Sequence, residues 1–169
     1  MRAPVIASLF ILLTSFPASA KLLNCGLYSK LDKLAGPAQA KAAEILKQLG
    51  EIRKKNGYDG PKDRYVVNPK HVNLRSGASS HLPDNAEALY RHAIPSVAQN
   101  GRVTWWARDK DGTYHRFQGS NGETHWNGSS KPVVSNSMTS EGISPREIPQ
   151  FVKDRFDLQD KLDKLLDAR

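Results

Sequence analysis

Two histidines lie ten positions apart in the stretch TYHRFQGSNGETHWNGSS, Thr113–Ser130, on either side of a turn-like QGSNGE. Histidine exchanges protons near neutral pH because its unperturbed pKa is about 6.5. Two together suit cleavage of an RNA phosphodiester. A neutral imidazole takes the proton of the ribose 2′-hydroxyl, and an imidazolium gives one to the leaving 5′-oxygen. A cation then steadies the phosphorane charge, for which Arg116 and Lys131 are the candidates. Trp126, Asn127 and Ser129 join Lys131 as candidate substrate contacts. This chemistry needs neither a metal nor a cofactor. A metal site from His115, Glu123 and His125 competes for the same residues, but no close-spaced ligand pair anchors it. The bland alternative is two hydrogen-bonded surface histidines.

An acid–base pair requires both imidazoles on one face of a hairpin. Strand residues alternate faces. A loop of Ser120-Asn121-Gly122 pairs Gly119 with Glu123, Phe117 with His125 and His115 with Asn127. It puts His115, Phe117, Glu123, His125 and Asn127 on a polar face and Tyr114, Arg116, Thr124 and Trp126 on a core face. The imidazoles are then expected within one diagonal neighbour distance, roughly 7–8 Å. Arg116 needs a bulge or a strand end to reach them.

The elements around the hairpin follow from periodicity. Residues 38–54 carry apolar residues at Ala42, Ile45, Leu46 and Leu49, a helical stripe that Ile52 extends. Residues 57–82 look irregular, rich in turn formers. Asp84 is a good cap for a helix over 85–94, which Pro95 closes. Strands are expected over 102–108, 114–118 and 123–127, with Val133-Val134 a fourth. Ser144-Pro145-Arg146-Glu147 reads as a capping box, with Pro149 able to break and restart its helix. The fold class is α+β, a small antiparallel sheet of three to four strands packed with helices.

Arg2, the apolar run Val5–Phe16 and Ala18-Ser19-Ala20 have the form of a cleaved secretory signal, too short to span a bilayer. Cleavage after Ala20 leaves 149 of the 169 residues, expected as a soluble secreted or periplasmic domain. The single cysteine, Cys25, excludes an internal disulfide. The formal charge is +8 for the chain and +7 without Arg2. Residues 51–131 hold thirteen Lys and Arg against eight acids, which suits a polyanionic partner. Arg53-Lys54-Lys55 is either a phosphate patch or a solvated helix end. Trp105, Trp106 and Trp126 either stack on bases or pack in a core. Asn127-Gly128-Ser129 matches a glycosylation acceptor. His71, His81 and His92 show no constellation.

The ordered set LPDNAEALYRHAIP, WWARDKDGTYHRFQGSNGETHWNGSS and ISPREIPQFVKDRF, residues 82–156, resembles the C-terminal toxin domains of bacterial polymorphic toxins of the Rhs and contact-dependent inhibition type. The resemblance implies a metal-independent ribonuclease of barnase- or colicin-like architecture, acting on RNA, with a cognate immunity or inhibitor protein as partner. The matching positions are His115, Arg116, Phe117, His125, Trp126, Gly128 and Ser129. Unlike those domains, this one follows its own signal in a small chain. The expected organisation is a signal at 1–20, a helical segment at 21–56, a loop at 57–81, the toxin-like domain at 82–156 and a terminal helix at 157–169, in a monomer without membrane association. The alternative function is a non-catalytic module that binds an anionic polymer or a protein.

Overall fold

The computed structural model describes residues 29–56, 58, 60–72, 82–131 and 142–168. The signal, Cys25, His81 and Val133-Val134 lie outside them. The chain divides into two compact units, one of residues 1–55 and 154–169 and one of residues 56–153.

In the first unit, helix α1 (Pro37–Asn56) presents Ala42, Ile45 and Leu49 as its buried stripe, at the spacing its sequence requires. They cluster with Leu31, Leu162 and Leu166, the last two from the C-terminal helix. Gly50 does not interrupt α1.

The second unit is a five-stranded mixed sheet with short helices. In chain order it holds β1 (Arg64–Tyr65), α2 (Pro69–Val72), α3 (Ala86–Arg91), β2 (Ile94–Val97), β3 (Val103–Arg108), β4 (Tyr114–Ser120) and β5 (Glu123–Ser129). The final helix α4 (Gln150–Asp167) follows. The strand order is β1-β5-β4-β3-β2. The α+β class expected from the sequence is present, and two of its strands, β1 and β2, lie where the sequence marks none. β1 is two residues long and pairs parallel to β5, too short to carry an alternating pattern. The segment after residue 57 therefore contributes a strand and a helical turn to this unit. β2 lies where a helix end was expected. Its Pro95 pairs with Trp105, while its carbonyl accepts from the Asn56 amide. That carbonyl points off the sheet, so the N–H that proline lacks would also have pointed off it. This is the edge position that proline tolerates.

Tyr90, Ala93, Trp105, Ala107, Phe117 and Trp126 form the core on one sheet face. The Lys62 ammonium lies over the rings of Tyr90 and Trp105, 4.5 and 4.9 Å from their centroids. It donates to the carbonyls of Arg91 and Ala93 at 3.2 and 3.0 Å, satisfying acceptors that the short helix α3 leaves open. Burial of this head group brings its pKa down to about 8. At the other end of the unit the Ser144 N–H donates to the Glu147 carboxylate, 2.9 Å. That capping box closes a turn, and the helix begins only at Gln150, after Pro149.

Candidate functional site

The β4–β5 hairpin turns through Asn121-Gly122 alone. Both have positive φ, 56° and 77°, as a two-residue type I′ turn requires. Ser120 pairs with Glu123, Gly119 with Thr124, Gln118 with His125 and Phe117 with Trp126. Gly119 permits this approach, since a Cβ there would stand 1.8 Å from the Glu123 carbonyl oxygen. The register differs by one residue from that of a three-residue loop. A one-residue slip moves a strand's side chains to the other face relative to its partner.

The expected acid–base pair is therefore not assembled. Thr124 and Trp126, 0% and 1% exposed, flank His125 and face the core, so His125 faces away. His115 is 5% exposed on the core side, where its Nδ1 accepts from Trp126 Nε1 at 3.2 Å. Its Nε2 lies 2.9 Å from Asp109 Oδ2. Indole N–H can only donate, so the imidazole carries its proton on Nε2 and gives it to Asp109. Both nitrogens are engaged with protein. His115 fastens the β3–β4 turn to β5 and is not placed to exchange a proton with a ligand.

Arg116 moves in the opposite sense. It lies on the His125 face, between the core residues His115 and Phe117. A bulge intervenes, because His115 pairs with Ser129 while Phe117 pairs with Trp126. Arg116 Nε donates to the Asn127 carbonyl at 3.3 Å, and Nη1 to Glu147 Oε2 at 2.9 Å. Its charge is neutralised within the fold. Asn127 Nδ2 donates to Gln118 Oε1, whose own amide donates to Thr104 Oγ1, a polar ladder across β5, β4 and β3.

The other candidates from the sequence are committed in similar ways. Trp126 is buried, as are Trp105 and Trp106 at 4% and 3% exposure, so none offers a face for a base. Ser129 is 5% exposed and donates to the Lys131 carbonyl. Lys131 Nζ pairs with Asp111 Oδ2 at 3.2 Å on the surface. The Asn127 amide of the Asn127-Gly128-Ser129 triplet donates to Gln118. His115, Glu123 and His125 form no metal site, since Glu123 pairs with Arg64 at the strand end and the two histidines face opposite ways. No cluster of three His, Cys, Asp or Glu side chains able to hold a metal occurs among the described residues.

His125 stands apart from these. It is half-buried on the polar face, and no side chain among the described residues hydrogen-bonds its ring. Burial first, then the positive neighbours His71 and Arg102, push its pKa below the ordinary imidazole value. His71 comes from α2 and meets Trp126 edge to face, with ring centroids 5.0 Å apart. Arg102 lies just before β3, on the hairpin that β2 and β3 form. His71 and Arg102 are thus each close enough to His125 to act on its charge, although both are far from it in sequence. Beside His71 opens a cleft of about 410 Å³. No helix among the described residues is long and apolar enough to cross a membrane. No protein-family model matches the chain, and no curated protein or solved structure matches it either.

Proposed function

We propose that the chain is a secreted, metal-independent endoribonuclease domain whose proton acceptor is His125. The observation that carries this reading is a half-buried imidazole whose ring no side chain among the described residues hydrogen-bonds, and whose protonated form is disfavoured first by burial and then by the nearby His71 and Arg102. A neutral imidazole of that kind accepts the 2′-hydroxyl proton. In this reading His71 takes the role first assigned to His115 and protonates the leaving 5′-oxygen. Arg102, exposed and basic, takes the role first assigned to Arg116 and holds the scissile phosphate. Export by the N-terminal signal, a nuclease-like use of the α+β fold, toxicity and capture by an inhibitor protein belong to the same proposal. The basic composition supports it, because phosphate contacts dominate affinity for RNA.

The test is incubation of the signal-free protein with single-stranded RNA in excess chelator. Fragments ending in 2′,3′-cyclic phosphate are expected. Intact RNA at high protein concentration rejects catalysis. Salt-sensitive binding of that intact RNA would instead select the alternative, a non-catalytic module for anionic polymers.

A further inference from the structure

The cleft beside His71 does not suit a phosphate. Tyr65, Val67 and Leu82 give it an apolar lining, and Asp84 and Glu87 are its charged groups apart from His71. Its volume, about 410 Å³, falls in the range of roughly 300–1,000 Å³ that takes small ligands or parts of larger ones. Two features point to an occupant. Val67 is 52% exposed, an apolar side chain left uncovered. Asp84 does not cap α3, whose N-cap residue is Asn85, and its carboxylate has no partner among the described residues. Glu87 is tied on one oxygen to Arg91, 2.7 Å.

We infer that the cleft is a nucleobase subsite, and that it selects bases carrying an exocyclic amine over uracil. This rests on the reading of His71 and His125 as the cleavage site, since His71 belongs to both. A flat apolar ring matches the lining, and carboxylates demand N–H donors at its edge. Cytosine, adenine and guanine each supply an amine. Uracil supplies one N–H between two carbonyls, which carboxylates repel.

The test compares oligocytidylate with oligouridylate, each as an uncleavable 2′-O-methyl oligomer for binding and as RNA for cleavage. Wild type is expected to bind oligocytidylate roughly tenfold more tightly. Asp84→Asn, an isosteric change on the surface, and Glu87→Gln are each expected to shrink that ratio. Equal affinity for the two oligomers, or a ratio that both variants leave unchanged, overturns the subsite. So does a cleft that ignores both and binds an arginine-rich peptide. Selective binding without cleavage keeps the subsite and rejects the catalytic reading, while cleavage without selectivity does the reverse.

Discussion

The two faces of the β4–β5 hairpin treat the same kind of side chain in opposite ways. On the core face His115 has a donor on one nitrogen and an acceptor on the other, Trp126 and Asp109, and solvent scarcely reaches it. On the polar face His125 is half-buried, no side chain among the described residues hydrogen-bonds its ring, and burial and its neighbours His71 and Arg102 disfavour its protonated form. A satisfied imidazole contributes to stability and is a poor proton shuttle. An unsatisfied one at a surface contributes little to stability and is available to a substrate. Residue type alone does not tell them apart; hydrogen-bond satisfaction does.

That contrast predicts separable mutant effects. His125→Ala is expected to slow RNA cleavage by about 10²–10⁴-fold, with a stability change of no more than about 0.5 kcal/mol, read from cleavage rates and melting curves. A rate loss that tracks a fall in melting temperature would make His125 structural. Trp126→Ala, which empties the centre of the aromatic core and orphans His115, is expected to cost about 3–5 kcal/mol in denaturant unfolding. His115→Ala is expected to cost about 1–3 kcal/mol, because it leaves the buried Trp126 N–H without an acceptor. Cleavage by the fraction that remains folded should persist, and its loss would restore His115 to the mechanism. Asn121→Ala is the mildest change. It puts an alanine at positive φ in the turn and is expected to cost about 1 kcal/mol; an unchanged melting temperature would contradict the two-residue turn.

The pH dependence sharpens the same contrast. His125 must be neutral to accept a proton, and its pKa lies below the usual value. The acidic limb of the cleavage profile should therefore have its midpoint below pH 6.5. A midpoint at or above 6.5 would assign the limb to another group.

The parts of the fold legible in the sequence were those with local periodicity. The α1 stripe, the C-terminal leucines and the three central strands repeat at the spacing of their elements. The face assignment failed on a single residue. Ser-Asn-Gly accommodates a three-residue loop, but Asn121-Gly122 supports the tighter type I′ turn, and parity then reverses one strand against the other. β1 and α2 were illegible for a different reason. A two-residue strand has no period, and its parallel pairing with β5 joins residues some 60 positions apart, Arg64 with Glu123. His71 reaches the hairpin through that pairing, so no local signal marked it. Asp109 was legible only as a turn residue, because nothing in its neighbourhood shows that its carboxylate reaches back to His115.

Imidazole resonances of the wild-type protein, titrated with a 2′-O-methyl oligonucleotide that binds without being cleaved, test the central claim most directly. Signals are assigned by their loss in His115→Ala and His125→Ala. The account predicts that His115 shows the Nε2–H tautomer and is indifferent to the oligonucleotide, whereas His125 titrates below pH 6.5 and shifts when it binds. An oligonucleotide that moves His115 and leaves His125 untouched would contradict it.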